Sequence, residues 1–264
     1  MGEDVLDRLA ALPGSDLTSL LLALSRRRAA ALSGPDVLRQ YRSDRFVAPS
    51  AVPFPVLRAA EDRLLAALPA SFSVVGLSPV APLGTCSAVA LMDQNNIVST
   101  MRGTEVAADP TNALALEAAL LRQSGSSDVR LAAVQRVVRA QMFGGSGRFA
   151  HFTLFAAVSA GRARASLGFE LEHFAEHVAF LREACGDVEF RVTVLDPRFE
   201  VVRGDLPADP ARQTEYYKGL CFKVFRDGVE IGDGGFVDWT SRLTGNRKER
   251  LLISGVGVDR FATL

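Results

Sequence analysis

Arginines set around a glycine-rich turn are the residues of this sequence that most suggest chemistry. Arg139 precedes Gly144-Gly145-Ser146-Gly147, Arg148 follows it, and Phe152 lies four residues further on. Guanidinium forks match phosphate oxygens in pairs, and an aromatic face offers a stacking platform for a planar base. If Arg139 and Arg148 point into one groove across the turn, they straddle a polyphosphate. A second set lies near the end of the sequence, where Gly255 and Gly257 alternate before Arg260. Glycines at that spacing leave bare backbone where a flat group must come close. The chemistry indicated is local recognition of a nucleoside polyphosphate.

The elements that must position these residues are legible in outline. Apolar residues at helical spacing run from 4 to 32, broken at Pro13-Gly14-Ser15-Asp16, and predict a helical preface. A Pro-rich stretch follows, and Pro55 opens an amphipathic helix that Pro69 ends. Strands are expected at 71–77, 97–102 and 104–109, then a helix at 111–123. Two long β-like runs, 129–141 and 149–159, flank the glycine turn and predict an antiparallel hairpin. Further on come a helix at 169–184, a strand at 189–195 and a variable loop at 203–213. Strands at 219–225 and 229–236, a short helix near 240 and a last strand at 251–254 complete the pattern. Hairpins mixed with helices indicate an α+β class with an antiparallel sheet.

Composition narrows the function classes. The 264 residues, 48% of them apolar, suffice for a substantial core. Thirty basic residues balance thirty acidic ones, so no bulk field draws the chain to nucleic acid or membrane. Only Lys218, Lys223 and Lys248 are lysines, which makes a catalytic lysine a poor expectation. Three cysteines without C-x-x-C spacing argue against a disulfide framework or a cysteine zinc site. No secretory signal or membrane-length apolar run is visible, so a cytoplasmic location is expected.

In order and spacing, three segments resemble the ordered motifs of the class II aminoacyl-tRNA synthetase catalytic core. They are the helix and strand leading to Pro79, then Arg139-Ala140-Gln141 with Arg148 and Phe152, then Gly255-x-Gly257-x-Asp259-Arg260. The similarity is greatest to histidyl-tRNA synthetase and its paralogue, the regulatory subunit of ATP phosphoribosyltransferase. Tyr216-Tyr217-Lys218-Gly219 and Gly234-Gly235-Phe236-Val237-Asp238 resemble further segments of that family, as does Asp109-Pro110-Thr111. The resemblance covers about 54–264. It implies a sheet flanked by helices, a homodimer built partly on the region around Pro79, and ATP bound with Mg²⁺. It further implies that Arg139 contacts the α-phosphate, that Arg148 and Arg260 hold the outer phosphates, and that Phe152 stacks on adenine, with Gln141, Gly255 and Gly257 completing the nucleotide site. Glu105, Asp109, Thr111, Tyr216 and Tyr217 are candidates for holding a substrate amine or carboxylate. The reaction implied is attack of a carboxylate on the α-phosphorus, giving an acyl-adenylate and pyrophosphate.

The sequence also departs from that pattern. Gln141 stands where the family has a glutamate, and Ala107 where it has an arginine. The strand after Phe152 is almost wholly apolar from Thr153 to Val158, so an acid other than histidine is expected. The expected organisation is a helical extension at 1–50 and a core at 51–264, with no room for an anticodon-binding domain after Arg260. A stand-alone adenylate-forming protein acting toward an acceptor or partner protein is therefore the first expectation. A catalytically retired regulatory or scaffold paralogue is the alternative. His173-Phe174-Ala175-Glu176-His177 matches the H-x-x-E-H zinc pattern, but its apolar flank reads as an ordinary packed helix. Arg242, Arg247, Lys248 and Arg250 form a local basic cluster whose default is a solvated loop, with RNA contact a lesser expectation.

Overall fold

The structure is a computed structural model that describes residues 2–141, 150–209 and 214–264. It begins with three helices, α1 (Glu3–Ala10), α2 (Gly14–Ala30) and α3 (Gly34–Ser43), none of which buries a residue. Helix α3 carries the helical extension past position 32, where the apolar periodicity of the sequence ends. Its start is set by a capping box, in which Ser33 Oγ accepts from the Asp36 amide and the Asp36 carboxylate accepts from the Ser33 amide. Helix α4 (Phe54–Ala66) starts at its prolines and buries Leu57, Ala60 and Leu64.

The strand expected at 71–77 is reduced to β1 (Ser73–Val74), and β2 (Val80–Pro82) pairs antiparallel with β3 (Thr104–Val106). No strand forms at 97–102. Residues Gln94–Asn96 make a helical turn instead, and Ser99 bridges singly to Glu105. Asp109 then caps α5 (Pro110–Gln123), whose Leu114, Ala115 and Ala118 are fully buried.

Strands β4 (Val129–Val138) and β5 (His151–Arg162) form the expected antiparallel pair, in register from Val129↔Ala160 to Val138↔His151. The turn glycines lie outside the described residues. Helix α6 (Gly168–Cys185), strand β6 (Glu189–Val194), the short α7 (Glu200–Arg203), and strands β7 (Leu220–Arg226) and β8 (Val229–Val237) follow. The chain ends through α8 (Trp239–Thr244), β9 (Glu249–Gly257) and α9 (Val258–Phe261).

These strands build a seven-stranded sheet in the order β1-β4-β5-β9-β8-β7-β6, antiparallel throughout except for β1, which runs parallel to β4. Strand β9 is longer than expected because its charged start is neutralised in place. Glu249 takes a two-point grip from Arg122 at 2.7 and 2.9 Å, tying α5 to β9. One face of the sheet packs on α6 and α4 through Phe155, Phe180, Phe190 and Phe222. The other packs on α5 and α8, where Ala133, Ala156 and Ala160 let α5 come close and Trp239 fills the remaining space. Both outer edges are closed early. Strand β1 has two residues, and the outer side of β6 is met by 207–209, with Val192 N donating to the Pro207 carbonyl and Asp209 N to the Val192 carbonyl.

All three cysteines are buried and none forms a disulfide. Among the described residues no helix is long and apolar enough to cross a membrane.

Candidate functional site

Side chains on cross-strand partners share a sheet face. Register therefore places Leu154 with Gly257, Ala156 with Gly255, Asp233 with Gly255 and Lys223 with Asp233 on one face, together with Phe152 two residues before Leu154. This is the face that carries α5. At its centre β9 offers two half-exposed glycines, and what they would meet as alanines separates them from the other glycines of the sheet. A Cβ at Gly255 would come no closer than 3.4 Å to the Phe155 carbonyl, and one at Gly257 no closer than 3.7 Å to that of Ile231. A Cβ at Gly234 would sit 2.5 Å from Phe222 and from the Ile253 carbonyl. Packing thus explains Gly234, whereas among the described residues none fills the space above Gly255 and Gly257. Gly257→Ala is expected to leave the free protein as stable or about 0.4–1 kcal/mol more stable, by restricting the unfolded chain, and to weaken binding of an ATP analogue if the nucleotide expected from the sequence lies on this floor. Gly234→Ala is expected to cost about 1–3 kcal/mol through overpacking. Thermal unfolding and calorimetric titration of the two variants check the contrast.

Arg139 stands at the margin of this floor, just past β4. Its Nε donates to the Ala108 carbonyl at 2.9 Å and its Nη2 to Asp109 Oδ2 at 3.2 Å, and its guanidinium lies 5.3 Å from the centre of the Phe152 ring. The fork is oriented before any ligand arrives. Asp109 serves two purposes, because its other oxygen accepts from the Thr111 amide at 2.9 Å and the Thr111 hydroxyl at 2.7 Å to cap α5. Thr111 is buried behind that cap.

Tyr216 packs with its ring 4.8 Å from Tyr217 and 5.4 Å, edge-on, from Trp239. Burial, joined by the negative charges of Asp109 and Asp233, holds its phenol well above the usual range. It therefore stays a hydrogen-bond donor at neutral pH. Tyr217 is buried and donates to Asp233 Oδ2 at 3.1 Å. Asp233 is a site residue that sequence reasoning missed. The signal was its place directly before Gly234-Gly235, on the strand already singled out.

Glu105 is wholly buried, and its carboxylate clamps a neighbouring loop. It accepts from the Gly84 amide at 2.9 Å, the Cys86 amide at 2.7 Å and Gln94 Nε2 at 3.1 Å. Burial alone would raise its carboxyl, but these donors outweigh it and hold the group below the usual range. The clamp is present above the ordinary carboxylate range and is lost as pH falls below it. Because all its acceptor positions face donors, Glu105→Gln is expected to cost about 1–3 kcal/mol in urea unfolding at neutral pH. Beside it, burial followed by the contact with Glu105 pushes the Cys86 thiol up to about 12, far from a nucleophile.

The remaining candidates are more dispersed. Arg260 is exposed on α9, three residues after Gly257, and donates to the Glu230 carbonyl. Gln141 is exposed at the foot of the hairpin. Arg148 lies outside the described residues. An open cleft of about 750 Å³ adjoins the segment carrying Tyr216, between Thr193 of β6 and Asp209, Thr214 and Glu215.

The H-x-x-E-H pattern does not converge on one point. His177 is buried between two serines, Nε2 3.0 Å from Ser159 Oγ and Nδ1 2.9 Å from Ser254 Oγ. Glu176 accepts from Arg130 Nε at 2.8 Å. Asp128, Glu172 and His173 do lie within metal-ligand spread of each other, but Arg130 and Arg164 each hold one oxygen of Glu172 at 2.8 Å. Two guanidinium groups already supply the positive charge a metal would bring.

No protein-family model matches the chain, and no curated protein matches it by sequence. Solved structures do. A histidine–tRNA ligase subunit from Alicyclobacillus acidocaldarius superposes with a TM-score of 0.64 at 14% identity, over 81% of this chain and 94% of that one. An ATP phosphoribosyltransferase regulatory subunit/histidyl-tRNA synthetase from Bacillus halodurans gives 0.60 at 15% identity, over 83% and 82%. Pyrrolysyl-tRNA synthetase from Desulfitobacterium hafniense gives 0.58 at 15% identity, over 86% and 73%. At such identities the likeness concerns the fold. Sheet order, flanking helices and these neighbours together give this chain the fold of a class II aminoacyl-tRNA synthetase-like core.

Proposed function

We propose that the protein binds ATP with Mg²⁺ and activates a carboxylic acid, an amino acid other than histidine, as an acyl-adenylate with release of pyrophosphate. The observation that carries this reading is Arg139, pre-aimed by Asp109 and the Ala108 carbonyl and faced by Phe152, beside a glycine floor that no described residue covers. A planar base can lie on that floor, and the Nη1 edge of Arg139 makes no bond to the described residues and suits an oxygen of the α-phosphate. The substrate carboxylate is already ionised at neutral pH. One of its oxygens bonds to the α-phosphorus while the bond from phosphorus to the β-bridging oxygen breaks, and pyrophosphate leaves with that electron pair. No proton transfer is required, so orientation and charge neutralisation carry the rate. Mg²⁺ would arrive with ATP and offset the charge of its phosphates.

The negative charges of Asp109 and Asp233 in the neighbourhood of Tyr216 favour an ammonium group, which supports an amino acid. The apolar face of Phe152, Leu154 and Ala156 offers an imidazole no polar partner. Arg260 and Arg148 are assigned to the outer phosphates, and Arg260 must leave the Glu230 carbonyl to serve there. Exposed Val74, Val80 and Leu83 around Pro79 support pairing of two copies through that region. The test is isotope exchange between pyrophosphate and ATP across a panel of amino acids. Exchange with one of them is the expected result, and a folded sample that exchanges with none overturns the reading.

A further inference from the structure

Residues 44–50 connect α3 to α4 and run across the foot of the β4–β5 hairpin. On one side Arg45 reaches the last described residues before position 142, donating through Nη2 to the Ala140 carbonyl at 2.5 Å and through Nη1 to the Gln141 carbonyl at 3.3 Å. On the other side the His151 ring, at the first residue of β5, bridges two groups. Its Nδ1 lies 2.8 Å from Arg136 Nε and its Nε2 2.5 Å from the Ala48 carbonyl. A guanidinium only donates and a carbonyl only accepts, so Nδ1 is the acceptor and Nε2 carries the proton. A third point is Asp259, which accepts from Ser50 Oγ at 3.3 Å and from the Thr153 amide at 2.6 Å and pairs with Arg136 at 3.6 Å.

These contacts bracket the nucleotide residues. The Arg139 amide donates to the Ala150 carbonyl at 2.8 Å, so the bonds at Ala140 and His151 fall one residue beyond each member of that pair. Asp259 immediately precedes Arg260. Arg45, Ala48 and Arg136 are exposed, and α1 to α3 bury no residue, so this set of contacts adds little to the core.

We propose that residues 44–50 are a brace that fixes the two roots of the hairpin, and with them the aim of Arg139, so that the helical extension acts on nucleotide binding rather than on fold stability. Arg45 and His151 are positioning residues in this scheme. The role at the nucleotide rests on the reading given under Proposed function, whereas the effect on the roots does not.

Two measurements on the full chain separate them. Amide hydrogen exchange without ligand, on Arg45→Ala and His151→Phe, is expected to quicken at Arg139, Ala140 and 151–153 by about tenfold or more, as local opening becomes easier. The amides of α5 and the urea midpoint should stay as in wild type, and Arg45→Lys should recover part of the protection. Root amides as slow as in wild type overturn the proposal, as does loosening that spreads to α5. In pyrophosphate exchange the variants are expected to raise KM for ATP by about tenfold, with kcat falling as the aim of Arg139 loosens and KM for the acid little changed. Loosened roots with an unchanged KM for ATP overturn the nucleotide role. A wild-type protein that binds no ATP sinks the proposed function and the nucleotide role together, while the exchange data still decide the brace itself.

Discussion

Arg139→Ala is expected to lower pyrophosphate exchange by about two to three orders of magnitude, the usual loss when a donor aimed at developing charge is removed. The fold should survive, because the lost pair with Asp109 is partly exposed and worth about 1 kcal/mol or less. Arg139→Lys should not restore activity, since one ammonium cannot hold the Ala108 carbonyl and Asp109 while also meeting a phosphate oxygen. Asp109→Asn offers a graded control. Asparagine keeps the cap of α5, so stability is nearly unchanged, yet the fork loses its charged partner and the rate should fall between wild type and alanine. Steady-state exchange with matched urea unfolding checks the series. An alanine variant within about threefold of wild type would remove Arg139 from the chemistry.

The second large effect concerns pH and lies on the opposite face of the sheet. His177 is fully buried between Ser159 and Ser254, and burial pushes its pKa down to about 3. Its folded value thus lies below the ordinary value near 6.5. Between those two values the unfolded chain binds a proton that the folded chain refuses, so stability rises with pH across that window and is complete above it. Acidification from pH 6.5 toward 3 is therefore expected to cost several kcal/mol from this one ring. Carboxylates such as Glu176 add to the loss only lower down. Burial alone would raise the Glu176 group, but the neighbouring His173 and the hydrogen bond from Arg130 hold it at about 2. His177→Gln retains a donor and an acceptor between the serines without titrating. Urea unfolding at pH 7.5, 6.5, 5.5 and 5 should show a flatter slope for the variant, and parallel slopes would refute the assignment.

The helices and the central hairpin could be read because each rests on a local signal: a proline at the first turn of α4 and α5, a capping aspartate at 109, and long, mostly apolar runs from 129 and 149. The elements misread were those whose reasons are remote. Residues 97–102 look like a strand, but Glu105 gathers the amides of Gly84 and Cys86 from across a loop, and that clamp shapes the segment. Strand β9 begins at Glu249 and Arg250, a poor start for a buried strand until Arg122 and Glu170 are seen to neutralise them. The site divides in the same way. Arg139, Phe152, Gly255 and Gly257 stand out by type and spacing. Asp233 declares itself only through register, because a lone aspartate before two glycines looks like a turn. Helix α3 had its signal in Ser33, Pro35 and Asp36, which sequence reading passed over.

The closed edges of the sheet have a consequence for assembly. A row of unpaired backbone donors and acceptors is the template on which one chain extends the sheet of another, the route to runaway aggregation. Here one margin is two residues long and the other is already hydrogen-bonded by 207–209. Copies that meet at high concentration must therefore recognise each other through side chains, a kind of contact that can close into a finite pair and stop.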